Sequence, residues 1–126
     1  MNPNFATVGQ AFVKTYYETF DSNRAALASL YVAESMLTFE GAQFQGSDAI
    51  IKKLTSLPFQ AIAHVLSTID CQPTVSLGII VFVVGQLKTD NDAPHTFNQC
   101  FHLKPKPDGS TYYVFNDMFR LSLHNG

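Results

Sequence analysis

Four places in the chain carry side chains whose types and settings could do chemistry. In the stretch SMLTFEGAQFQG, Ser35 to Gly46, a lone carboxylate, Glu40, follows Phe39 at the end of an apolar strand-like run. Strand alternation puts Leu37 and Phe39 on one face and Thr38 and Glu40 on the other. The second place is KTDNDAPH, Lys88 to His95, where Asp90 and Asp92 flank Asn91. Such residues can simply bond their own backbone in a turn, or two carboxylates can present a negative rim to a cationic partner. The calcium-loop pattern with its terminal bidentate glutamate is absent, so no metal is expected there. The third is His64, set between Ala63 and Val65, a structural histidine or a polar group facing a site. The fourth is Asp117, which alternates with Phe115 and Phe119; an inward aspartate needs a partner, and His64 or Arg120 are the nearest suggestions.

The elements that must position these groups can be read from periodicity. Phe5, Val8, Phe12, Val13, Tyr16, Tyr17 and Phe20 recur at helical spacing after Pro3, which predicts an amphipathic helix of about five turns. Phe5, on its first turn, is either a core contact or an exposed apolar anchor for a peptide. Asp21-Ser22-Asn23 breaks the helix, and Arg24 to Tyr31 reads as a second, short one. Met36 to Glu40 and Gln43 to Gln45 predict a hairpin turning at Gly41, followed by a third helix from Ala49 to Leu57 that Pro58 stops. Four longer strands follow, Ala61 to Cys71, Val75 to Lys88, Thr96 to Lys104 and Tyr112 to Leu123, joined by short Pro-, Gly-, Asn- and Asp-bearing connections of the antiparallel kind. The run LGIIVFVV lacks polar alternation, so both faces of that strand should be covered, one by the helices and the other by a partner subunit. The expected fold is α+β: three helices on a curved antiparallel sheet, forming a cone with a hydrophobic cavity at its open end.

Composition narrows the function classes. The 126 residues fit one domain, 1–126, with 46% hydrophobic content, 11 phenylalanines and only 14% charged residues. A net charge of −2 and dispersed lysines and arginines give no footprint for nucleic acid or anionic lipid. Cys71 and Cys100 have neither CxxC spacing nor a nearby histidine pair, and read as buried thiols of a reducing compartment. The N-terminal residues lack a secretory pattern, and the longest apolar run is too short to span a bilayer, so no membrane insertion is expected.

The segments LTFEGAQFQGSDAIIKKLTSLPFQ, VVGQLKTDND and NDMFRL, together with FxxxYYxxFD around Tyr16, closely resemble the nuclear transport factor 2 family, nearly from Phe12 to the C-terminus. The resemblance implies a homodimer of cone-shaped subunits that carries the GDP form of the Ran GTPase and passes nuclear pores on phenylalanine-glycine repeats of nucleoporins. It implies a Ran-binding set of Phe39, Glu40, His64, Asp90 and Asp92, with Phe39 where the family often has tryptophan, and a nucleoporin-binding role for Phe5, where some members also have tryptophan. Residence in cytoplasm and nucleus with enrichment at the pore follows, with no cofactor and no catalysis. Two alternatives stay open. The same fold serves ketosteroid isomerase and related dehydratases, and Tyr16 or Tyr17 with Glu40 could imitate part of such a site; a purely structural dimerisation module is the other.

Overall fold

The computed structural model describes residues 1–122. Helix α1, Phe5–Ser22, turns Val13, Tyr16, Tyr17 and Phe20 into the core. A short 3-10 helix, Arg24–Leu30, leads into strand β1, Tyr31–Phe39, which turns back into β2, Ala42–Gln45. Helix α2, Ser47–Thr55, follows, and the long strands β3, Ile62–Pro73, β4, Ile79–Thr89, β5, His95–Pro105, and β6, Tyr112–Leu121, complete the chain. All strands join one sheet in the order β2-β1-β6-β5-β4-β3.

The α+β class and the three helices agree with the sequence reading, and the sheet departs from it in one pairing. Strand β1 runs parallel to β6, with Leu37 opposite Asp117 and Phe39 opposite Phe119, so the sheet is mixed. The reason is topological: the first hairpin and the β3 to β6 meander are joined through α2, and this crossover returns the chain to the far edge of the sheet. Strand β1 also begins earlier than its alternation suggests, at Tyr31 in place of Met36. A bulge between these two residues hides the period; there the Ser35 hydroxyl donates to the Val114 carbonyl and accepts from the Val32 N–H.

Turn chemistry explains the other shifted boundaries. The β1–β2 hairpin closes through Glu40 and Gly41, both in the left-handed region at φ 51° and 88°, as a two-residue loop with the twist of its strands requires. Val75 to Leu77, expected to start a strand, form a tight 3-10 turn in which Ser76 and Leu77 take φ 59° and 66°, and β4 starts only at Ile79. The predicted last strand ends at Leu121; Leu123, its expected terminus, lies outside the described residues.

The core lies between α1 and the inner face of the sheet. Along β4 the alternation is strict: Ile79, Val81, Val83 and Leu87 point inward and are buried, while Ile80 and Phe82 point outward and are 40% and 42% exposed. The helices thus cover one face of LGIIVFVV, and its other face is open in the protomer beside Val65 and Met118. Each buried aliphatic or aromatic side chain on this face contributes about 1.5 to 3 kcal/mol. Two glycines let the layers close. A Cβ on Gly9 would lie 2.7 Å from Cys71 Sγ beneath α1, and one on Gly85 would collide with the Val65 carbonyl oxygen.

Candidate functional site: an apolar cavity with a polar floor

Where the sheet, α1 and α2 diverge, an apolar cavity of about 260 Å³ opens. Phe20, Leu37, Phe39, Leu54, Leu57, Phe59, Ile62, Leu87 and Phe119 supply its apolar lining. One wall is a segment with little regular structure, Leu57 to Gln60, and Arg24 holds it. The guanidinium donates to the Leu54 and Phe59 carbonyls at 3.0 and 3.2 Å, and its central carbon lies 4.5 Å from the Phe59 ring centroid. Sequence reading gave Arg24 no role, because its partners are backbone oxygens that no pattern announces.

The floor is a closed hydrogen-bond network. Tyr31 donates to Asp117 Oδ2 at 2.8 Å, Gln99 Nε2 donates to Asp117 Oδ1 at 2.8 Å, and Tyr17 donates to Gln99 Oε1 at 2.7 Å. Since the Tyr31 proton is committed to Asp117, the Tyr16 hydroxyl donates to the Tyr31 oxygen, 2.6 Å away. Asp117 is therefore partnered by Tyr31 and Gln99, not by His64 or Arg120 as its position suggested. A bulge at Phe115 breaks the alternation: His102 pairs with Asn116 and Leu103 with Val114, so Asp117 and Phe119 face inward while Phe115 packs outside against His102 and Lys104. Burial raises the Asp117 carboxyl from 3.8 to about 6, against the pull of its donors Gln99 and Tyr31. Burial first, and charge on Asp117 with it, also push Tyr16 and Tyr31 well above the usual phenol range, so both stay neutral.

His64 has a different partner. Asp21, at the C-terminal end of α1, binds its Nδ1 at 2.6 Å through Oδ1 and its backbone N–H at 3.0 Å through Oδ2. The imidazole is packed between Tyr17, Phe20 and Phe97, with centroids 4.8 to 5.4 Å away, and only 2% of the side chain is exposed. His64 also lines the cavity. Asp21 reads as a helix-ending residue in the sequence, although its spacing of four from Tyr17 does put it on the buried side of α1.

At the cavity edge the candidate residues divide. Phe39 stacks on Phe119 at 4.7 Å with planes 10° apart, and the Lys53 ammonium lies 5.4 Å from the Phe39 centroid. Glu40 is exposed in the hairpin turn, where its Oε1 accepts the Leu121 N–H, and it does not line the cavity. Asp92 does line it, beside Thr89 and His95. Asp90 sits in the same turn at φ 47°, and its carboxylate accepts the N–H groups of Gln60 and Ala61 at 3.2 and 2.9 Å, so it ties the Leu57–Gln60 wall to the β4–β5 turn. Phe5 lies elsewhere, half-buried on the first turn of α1 against the core. Among the described residues no group of His, Cys, Asp and Glu could hold a metal ion, and no helix is long and apolar enough to cross a membrane.

This architecture has close relatives. The model of the nuclear transport factor 2 domain matches residues 8–121, which decides the family. The chain belongs to the nuclear transport factor 2 family. Nuclear transport factor 2B of Arabidopsis thaliana is 52% identical over 124 residues, covering 97% of this chain and 96% of the plant protein. The structure of nuclear transport factor 2 from Cryptosporidium parvum superimposes with a TM-score of 0.93 at 45% identity, covering 97% of this chain and 98% of that one. A hexachlorocyclohexane dehydrochlorinase from Novosphingobium barchaimii, with a TM-score of 0.78 at 11% identity over 95% of this chain and 88% of its own, shares the fold alone. Family membership and the enzyme likeness thus stand at very different levels of similarity, and the relatives near 50% identity are transport factors by name.

Proposed function

We propose that the protein is a nuclear import carrier that binds the GDP form of a Ran GTPase, one aromatic side chain of which enters the cavity, moves through nuclear pores on phenylalanine-glycine repeats, and catalyses no reaction. The observation that carries this reading is an apolar cavity walled by the Phe39–Phe119 stack and bordered by Asp92, with Glu40 and Asp90 in the flanking turns. Such a mouth suits a partner that inserts one aromatic ring and brings cations beside it. Burying one phenylalanine contributes about 2 to 3 kcal/mol, whereas each exposed rim pair contributes about 0 to 1 kcal/mol. The cavity should set most of the affinity and the acids the orientation and on-rate.

The roles within this reading are distinct. Phe39 forms the aromatic wall, His64 is a polar face inside, and Glu40 and Asp92 are charges available to the partner. Asp90 contributes both charge and the positioning of the wall through Gln60 and Ala61. Phe5 is the proposed platform for nucleoporin repeats, whose weak and multivalent contacts favour transit over retention. The outer sheet face, where Ile80, Phe82 and Met118 are exposed together, is the proposed homodimer contact. A carrier of this kind would reside in cytoplasm and nucleus and concentrate at the pore.

The test is calorimetric titration with Ran loaded with GDP and, separately, with GTP. Binding restricted to the GDP form, weakened about tenfold by Glu40→Gln combined with Asp92→Asn while the dimer persists, is the expected result. Absence of binding to either nucleotide form overturns the proposal.

A further inference from the structure

We infer that the cavity is also a binding site for a small planar molecule carrying a hydrogen-bond donor, a phenol in the simplest case, held through His64 Nε2. The inference goes beyond the carrier reading and does not depend on it.

Three observations carry it. First, the cavity volume of about 260 Å³ exceeds the roughly 150 Å³ that suffices for a benzene ring in an apolar protein cavity. Space for one or two fused rings is therefore present. Second, the walls are aromatic and aliphatic, with Phe39 and Phe119 stacked along one side, a surface suited to a flat ring. Third, the imidazole of His64 is almost wholly buried, yet among the described residues only its Nδ1 has a hydrogen-bond partner. No fully buried side-chain polar atom lacks a partner among those residues, so Nε2 keeps a small opening, and His64 lines the cavity.

The chemistry of the ligand follows from the tautomer. With the Asp21 carboxylate 2.6 Å from Nδ1, the neutral ring carries its proton on that nitrogen and leaves the Nε2 lone pair to accept. The complementary group is an O–H or N–H donor. The acceptors of the floor are already engaged: Asp117 Oδ2 and Oδ1 accept from Tyr31 and Gln99, Gln99 Oε1 from Tyr17, and the Tyr31 oxygen from Tyr16. A neutral ring with one hydroxyl matches the lining; a free carboxylate would meet the charge of Asp21 and Asp117 and lose its hydration. A bound phenol would fill the space that the carrier reading gives to an aromatic side chain, so the two occupants exclude each other.

The experiment compares 2-naphthol with 2-methoxynaphthalene, which keeps the rings and lacks the donor. Binding is followed by NMR on the protein labelled with 15N-histidine. The expected result is saturable binding of 2-naphthol, tighter than that of the ether by about three- to tenfold, as one buried hydrogen bond provides, with the His64 Nε2 resonance displaced only by the naphthol. His64→Phe should remove the preference. Leu57→Trp, a change in the half-exposed wall that spares the core, should block both probes while leaving the His64 signal of the free protein in place. Equal affinity for the two probes, an unmoved Nε2 resonance, or no binding of either overturns the inference.

Discussion

Replacing Asp117 by asparagine should flatten a pH dependence of stability that the buried carboxyl writes into the fold. In the native protein the carboxyl titrates at about 6, raised from the ordinary 3.8 chiefly by burial. A raised carboxyl makes its full contribution to stability below the unfolded-state value, where it is protonated in both states. That contribution is lost as pH rises through the native value, since the native state must then carry a buried anion. At about 1.4 kcal/mol per pH unit the rise amounts to about 3 kcal/mol in all, of which about 2.4 kcal/mol is lost between pH 4 and pH 7, because pH 4 already lies just above the unfolded-state value. The amide of Asp117→Asn cannot ionise but keeps an oxygen for the Tyr31 donor. Its nitrogen would face Gln99 Nε2, so Gln99 must turn its carbonyl toward the new amide and its own NH2 toward Tyr17, a rearrangement with a cost that does not vary with pH. The slope is therefore the test, and the offset is not. Urea denaturation of both proteins at one protomer concentration, followed by far-UV circular dichroism from pH 4 to 7.5, gives the difference directly. The other titrating groups largely cancel in that difference. The native protein should lose about 2.4 kcal/mol relative to Asp117→Asn across the range, and parallel profiles would refute the reasoning.

Two further substitutions probe the sheet. Phe82→Asp puts a charge in the centre of the exposed outer face and should yield a folded monomer in analytical ultracentrifugation; a dimer that survives it uses another surface. Gly85→Ala drives a methyl into the Val65 carbonyl oxygen and to 3.0 Å from the Phe97 ring, and should cost about 2 to 3 kcal/mol, lowering Tm by roughly 10 °C. An unchanged melting curve would mean that β3 and β4 shift apart at little cost.

The helices and most strands were legible because their apolar periods are long and clean, as in Val13, Tyr16, Tyr17 and Phe20 of α1 or the alternation of β4. What misled lies where one residue interrupts a period. The extra residue Phe115 shifts the phase of β6, so alternation sets Asp117 and Phe119 inward correctly but wrongly groups Phe115 with them. The parallel β1–β6 pairing was hidden for another reason: nothing local in Leu37 or Phe39 specifies that its neighbour is the last strand of the chain. At the cavity, His64 and Asp92 stand out from their settings and Phe39 through the family resemblance, while the supporting Asp21, Arg24 and Tyr31 do not. Their importance comes from long-range hydrogen bonds, to His64, to the Phe59 carbonyl and to Asp117, which residue type and spacing do not encode.

The β1–β6 pairing also orders events in time. The stacked wall Phe39–Phe119 joins an early strand to a late one, so a chain emerging from the ribosome holds β1 and β2 without their sheet neighbour until β6 has been made. Up to that moment the edge of β1 that pairs with β6 is unpaired, a condition that invites association with other nascent chains. The final docking of β1 on β6 is then a high-contact-order step that closes the cavity and the sheet together. For this protein, the interval between the synthesis of β1 and that of β6 is the time at which slow synthesis exposes the chain to such association.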